Sequence, residues 1–279
     1  MRYLRLAFDL YINSSIHVAV AVVCFAVISI VENNFQISLG LLAFIFFSTI
    51  TGYNFVKYAG IAKLHHSSLA GNLRIIQIFS FISFLALIYF TVQLSVNVLL
   101  ATGILGLLTL LYALPVFGNS RNLRSLAGIK IFVIAMVWAG TTVLLPVINA
   151  QQLLNQSTLI DLFQRFCMVV VLTLPFEIRD LIYDSHSLET IPQRIGIRKT
   201  RIFGVILLIL ICLIEIFQQQ FRSYSFLSLF LVCVILGVFL LRSRERQAKY
   251  YASFVVESIP IIYLGIVLFM KYVLPIVVY

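Results

Sequence analysis

Polar positions in this chain come in short bunches, separated by apolar runs about as long as a bilayer is thick. A helix needs ~20 mainly apolar residues to cross the hydrocarbon core. By that measure the runs predict helices near 13–31, 37–54, 74–92, 95–114, 129–148, 160–177, 202–218, 225–241 and 255–277. The basic residues give an independent check. Under strict alternation, one side receives Arg2 and Arg5, then Lys57, Lys63 and Arg74, then Arg121, Arg124 and Lys130. The same side takes Arg179, Arg194, Arg198, Lys199 and Arg201, and finally Arg242, Arg244, Arg246 and Lys249. Of 20 Lys and Arg residues, only Arg165, Arg222 and Lys271 fall to the other side. Cytoplasmic loops are enriched in Lys and Arg. The pattern therefore predicts an all-α integral membrane protein with nine transmembrane helices. Its N-terminus is cytoplasmic, its C-terminus is on the opposite side, and residues 1–279 form a single transmembrane helical domain.

Composition agrees. Hydrophobic residues make up 62% of the chain, charged residues 11%, and the mean hydropathy is +1.07. A net charge of +10 would suggest nucleic acid in a soluble protein. Here the basic residues sit in short loops between apolar runs, so the expected partners are membrane lipids with anionic headgroups, and no nucleic acid. A bacterial inner membrane is the expected location. Arg2 and Arg5 precede an apolar run as in a signal peptide, but no small-residue cleavage site precedes Glu32–Asn34, and a retained helix is expected. The cysteines, Cys24, Cys167, Cys212 and Cys233, lie inside apolar runs without CxxC spacing, which points to buried thiols. Ionisable residues within spans are few, among them His17, Arg165, Glu215, Glu257 and Lys271. A proton or ion path usually needs such groups at depth, and their scarcity counts against a pump or coupled transporter.

The chemistry gathers in Pro175–Arg201, PFEIRDLIYDSHSLETIPQRIGIRKTR, which holds Glu177, Asp180, Asp184 and Glu189. Glu177, Asp180 and Asp184 are spaced i, i+3, i+7 and would share one face of a helix. Carboxylates that close repel one another unless a cation sits among them. Mg²⁺ is one candidate, since it takes oxygen ligands and shares one or two carboxylates with substrate phosphates. The other reading is a solvated loop whose acids pair with Arg179, Arg194, Arg198, Lys199 and Arg201. Residues 51–66, TGYNFVKYAGIAKLHH, set Asn54, Lys57, Lys63, His65 and His66 in one stretch, suited either to an anion or to a positively charged membrane anchor. Residues 111–124, LYALPVFGNSRNLR, offer Tyr112 as a polar group at a cavity mouth or as an interfacial aromatic. Arg121 and Arg124 there suit an anionic substrate or phospholipid headgroups.

Taken together, these stretches resemble the UbiA-type intramembrane prenyltransferases. The resemblance runs along the whole chain, with nine helices and long cytoplasmic loops after the second and sixth. The family's second acidic motif is similar to Glu177-Ile-Arg-Asp180-Leu-Ile-Tyr-Asp184, trailed by Thr190-Ile-Pro192 and Gly196. Its Tyr-x-x-Pro is similar to Tyr112-Ala-Leu-Pro115. The first motif, Asn-x-x-x-Asp-x-x-x-Asp, departs: aligned on Asn54, this chain has Tyr58 and Ala62 in place of both aspartates, with Lys57 and Lys63 beside them. The resemblance implies transfer of an isoprenoid chain from a prenyl diphosphate to an aromatic or other lipid-soluble acceptor. It implies Asp180, Asp184 and Tyr112 as catalytic residues. Glu177, Asp180 and Asp184 become ligands of one Mg²⁺ rather than two. Asn54, Lys57, Lys63, Arg179, Arg121 and Arg124 become the groups that contact substrate. The loss of the first-motif aspartates leaves two other readings open: a non-catalytic relative that binds an isoprenoid, a quinone-like lipid or a protein partner, and a small-molecule transporter.

Overall fold

The computed structural model describes residues 2–59, 70–114, 123, 128–184, 188–218 and 222–274. Ala62, Lys63, His65, His66, Pro115, Arg121 and Arg124 lie outside the described residues. Among those described, every regular element is helical.

The first predicted span, 13–31, is helical from Ile16, and a further helix precedes it. Helix α1 (Arg2–Asn13) and helix α2 (Ile16–Glu32) meet at Ser14 and Ser15 with a bend of 54°. Ser15 has a φ of 63°, and such a left-handed residue ends one right-handed helix before the next begins. Polar side chains fasten the break. Asn54 accepts from the Ser15 hydroxyl at 2.8 Å and donates to the Ser14 carbonyl at 3.1 Å and to Ser80 Oγ at 2.7 Å. His17 lies just past the break in α2 rather than at mid-span, with Tyr11 Oη 2.9 Å from its Nδ1 and the Phe254 carbonyl 3.0 Å from its Nε2.

Helices α3 (Leu39–Ala59), α4 (Ala70–Thr91) and α5 (Val96–Ala113) follow. The next rod joins α6 (Lys130–Ala139) to α7 (Leu145–Asn149) through a π-helical turn, Gly140–Leu144. Pro146 opens α7, where its missing N–H is tolerated. The Asn155 side chain caps α8 (Gln156–Asp180), accepting the Thr158 N–H at 2.8 Å. Helices α9 (Ile191–Glu215), α10 (Ser223–Arg242) and α11 (Ile259–Leu268) complete the order, α11 flanked by π-helical turns at Tyr251–Val256 and Phe269–Val273.

Among the described residues, seven helices are long and apolar enough to cross a membrane, and the bent α1–α2 pair, counted as one span, makes eight. Helix α9 is also long, but Arg194, Arg198, Lys199 and Arg201 occupy its first half. The core forms where α2, α6, α8 and α11 meet. Phe25 is fully buried there, edge-on to Trp138 and Tyr263 at 6.1 and 6.5 Å. Helices α4 and α5 instead turn Phe81, Tyr89, Leu100 and Ile104 outward, each more than 60% exposed. An outer surface this apolar is stable only against lipid. The protein is an integral membrane helical bundle.

Side-chain contacts define its two ends. At one end, Lys130 at the start of α6 reaches Glu177 near the end of α8, and Gln247 donates to the Pro175 carbonyl at 3.3 Å. Arg201 donates to the Ser243 carbonyl at 2.5 Å, and Lys249 pairs with Asp9 at 2.7 Å. That bond holds the Lys249 ammonium above the ordinary lysine value. At the other end, Lys271 donates to the Val31 carbonyl at 2.5 Å, and Arg222 to that of Glu32. Lys130, Arg201 and Lys249 thus gather at one end, and Arg222 and Lys271 at the other.

At the basic end the helices are longer than the apolar runs suggest. Of the loop expected at 55–73, residues 55–59 and 70–73 are helical, and most of that expected at 178–201 is helical too. Charged residues end an apolar run without ending a helix. The Thr190-Ile-Pro192 text starts α9, with Pro192 in the first turn and Gln193 Oε1 accepting the Thr190 N–H at 2.9 Å. Gly196, with a φ of 77°, then kinks the helix.

Candidate functional site

The acidic end of α8 carries its own cation. Lys130 Nζ lies 2.8 Å from the Glu177 carboxylate and 3.6 Å from that of Asp184. Glu177 is 3% exposed, so Lys130 relieves both its burial and its repulsion from Asp184. Helix α8 ends at Asp180, and the Asp184 N–H closes one further turn onto the Asp180 carbonyl at 2.7 Å. Asp180 turns elsewhere: its Oδ1 accepts from Arg179 Nε at 2.7 Å, and the same guanidinium lies over the Phe176 ring at 5.3 Å. The i, i+3, i+7 carboxylates therefore divide, two on Lys130 and one on Arg179. The acids also use part of the neighbouring basic set, with Glu189 paired to Arg194.

Across from this end stands the last turn of α3. Lys57 Nζ donates to the Asn13 carbonyl at 3.1 Å and lies within electrostatic reach of Arg179. Glu257, half-buried, interacts electrostatically with both Lys57 and Arg179. The ends of α3 and α8, far apart in sequence, thus come within electrostatic reach of one carboxylate. Tyr53 and Tyr112 supply aromatic faces nearby. The Tyr53 hydroxyl accepts from Trp138 Nε1 at 2.7 Å; Tyr112 is buried at the end of α5, within electrostatic reach of Tyr53 and Lys130.

Sequence reasoning missed Lys130 as a site residue, counting it only among the surface charges. Its one signal was its position at the head of an apolar run. Glu257 was noted only as an ionisable group within a span. Asn54 is 3% exposed and committed to Ser14, Ser15 and Ser80. Tyr58, which stands where the UbiA pattern has its first aspartate, donates to the Asn13 carbonyl at 3.0 Å. The expected contacts of Lys63, Arg121 and Arg124 fall outside the described residues.

Whether these residues suit Mg²⁺ depends on which oxygens remain unspent. Among the described residues, no three His, Cys, Asp or Glu side chains stand close enough to hold a metal. Glu177 is taken by Lys130; Asp184 Oδ2 faces the same ammonium at 3.6 Å but is buried without a hydrogen bond. Asp180 commits one oxygen to Arg179. Two carboxylates with oxygens to spare fit an ion shared with substrate phosphates, not one caged by protein alone.

No family profile matches the sequence. No curated protein matches it either. In structure, the chain is similar to a digeranylgeranylglyceryl phosphate synthase of membranes, with a TM-score of 0.57 over 97% of this chain and 97% of that one. The fold is UbiA-like. Identity over this match is 14%, so the UbiA-like likeness describes the path of the backbone. The electrostatic interactions of Glu257 with Lys57 and Arg179 set the ends of α3 and α8 at one end of the molecule.

Proposed function

We propose that this chain is a membrane prenyltransferase of the UbiA type, transferring an isoprenoid chain from a prenyl diphosphate to an aromatic or other lipid-soluble acceptor. The supporting observation is that, in a UbiA-like fold, Lys57 of α3 and Arg179 of α8 come within electrostatic reach of each other and of Glu257, with Asp180 held by Arg179. The proposal includes nine spans, α9 among them, with the N-terminus cytoplasmic, the C-terminus opposite and a bacterial inner membrane as the location.

In this reading Lys57 and Arg179 hold the diphosphate oxygens, joined by Lys63, Arg121, Arg124 and Asn54. For Asn54 this requires releasing one of its present bonds. Asp180 and Asp184 hold one Mg²⁺, which when bound neutralises charge growing on the leaving diphosphate. Glu177 serves through Lys130, keeping Asp184 in place. The allylic carbon–oxygen bond breaks with its electron pair on the diphosphate, the acceptor bonds to the freed carbon, and the acceptor loses a proton. Faces of Tyr112 and Tyr53 stabilise the allylic cation, and the surrounding helices keep water from it.

Activity tests this with radiolabelled farnesyl diphosphate, Mg²⁺ and a panel of aromatic lipid acceptors. A prenylated product is expected, and Asp180→Asn or Asp184→Asn should lower its rate by ~10²–10³. Absence of product with every acceptor contradicts transfer. Tyr58 favours a second reading, because its structural bond to Asn13 occupies a motif position. Activity that arises only in the Tyr58→Asp, Ala62→Asp double variant would identify a non-catalytic relative.

A further inference from the structure

At the end of the bundle opposite Lys130 and Glu177 lies a polar chamber of about 300 Å³, the lower end of the range for small-molecule sites. Asp161 lines it from the start of α8, nineteen residues or ~28 Å of helix from Asp180. Its walls bring together carboxylates from three helices: Glu32 of α2, Asp161 of α8 and Glu215 of α9. Each accepts a bond from a neutral group. Ser225 donates to Glu32 at 3.0 Å, Gln218 to Asp161 at 2.6 Å, and Gln164 to Glu215 at 2.9 Å.

Arg165 lines the chamber one turn deeper than Asp161 and is 7% exposed. It donates to the Phe25 carbonyl at 3.1 Å and to Ser29 Oγ at 3.4 Å, with its guanidinium over the Phe25 ring at 4.1 Å. Among the described residues it makes no ion pair. Two of its five N–H donors are therefore spent and its charge has no direct counterion. Arg222 also lines the chamber, donating to the Glu32 carbonyl and acting on Asp161 through space. Three carboxylates thus outnumber two guanidiniums, and leaving buried charge unbalanced is costly. A metal does not answer the need, because the carboxylates do not converge to metal-binding distance.

We propose that this chamber is a second ligand site for a small zwitterion, its ammonium held by Glu32, Asp161 and Glu215 and its oxyanion by Arg165. An ammonium has three N–H donors to offer three carboxylates. The two charges of the ligand are set one helical turn apart, ~6 Å, by Asp161 and Arg165. Tyr263 is the aromatic ring in the lining, too little to cage a quaternary ammonium, so a primary ammonium is selected. Two sources carry this chemistry: a free amino acid-like solute and the headgroup of phosphatidylethanolamine.

The test is calorimetric titration of the full-length protein in phosphatidylglycerol nanodiscs with β-alanine, propylamine and propionate. Saturable β-alanine binding at least tenfold tighter than either half-molecule is expected. Asp161→Asn and Glu215→Gln should weaken it at least tenfold while keeping the wild-type size-exclusion profile. The selectivity of the wild type among the three probes needs no variant, so it decides the matter even if these substitutions unfold the protein. Competition by phosphatidylethanolamine discs would support the proposal with the lipid headgroup as source; unchanged β-alanine binding in them would support it with a free solute. No saturable β-alanine binding, equal binding of the half-molecules, or folded variants that bind like wild type would overturn it. None of these readouts depends on prenyl transfer.

Discussion

Lys130 is the residue on which the acidic end of α8 rests. Its side chain is 17% exposed and that of Glu177 only 4%, so removing the lysine strands a buried carboxylate beside Asp184. Lys130→Met should destabilise the protein by about 3–5 kcal/mol, read as a lower melting temperature in detergent. Lys130→Met with Glu177→Met should recover most of the loss, since neither charge then remains. Wild-type melting of the single variant would show that the pair carries no weight. The three carboxylates were legible in the sequence because their spacing is local. Their partner was not, because residues 130 and 177 meet only when α6 and α8 pack, and no local pattern joins them. Asp180 shows the converse: its partner Arg179 was next to it in the chain and among the cations expected to pair with the acids.

At the scale of elements, two junctions hold the helices in place. Asn54 ties α3 and α4 to the break between α1 and α2. Asn54→Ala leaves Ser15 and Ser80 without that partner in a buried setting and should cost on the order of 1–3 kcal/mol. Hydrogen exchange should then quicken in α1 and the first turn of α2; unchanged exchange would remove Asn54 from this role. Gly204 lets α9 approach its neighbours: a Cβ there would collide with Leu240 of α10 and Leu174 of α8. Gly204→Val should destabilise by about 1–3 kcal/mol through overpacking, checked by the same melting assay. The apolar runs located the helices because lipid demands length and hydropathy together. They did not reveal the bend at Ser14 and Ser15, since serine is no helix breaker and its role depends on Asn54. Nor did they reveal the π-helical turns, which turn on packing rather than hydropathy.

Over the whole molecule, charge divides the two ends, and the proposed diphosphate site and zwitterion site lie at opposite ones. The scarcity of ionisable residues along each span hid the chamber, because Glu32, Asp161, Arg165 and Glu215 come from three helices and converge only in the folded bundle. Sidedness can be read directly. Tyr183 and Leu153 are 80% and 87% exposed at opposite ends. In intact cells, Leu153→Cys should react with an impermeant thiol reagent, and Tyr183→Cys only after the membrane is opened; the reverse pattern would invert the topology. The central claim, that the ends of α3 and α8 together grip a prenyl diphosphate, is tested most directly by titrating purified protein with farnesyl diphosphate, with and without Mg²⁺. The account predicts saturable, Mg²⁺-dependent binding that falls at least tenfold in Lys57→Met and in Asp184→Asn. Binding absent in wild type, or indifferent to Mg²⁺ and to both substitutions, would contradict it.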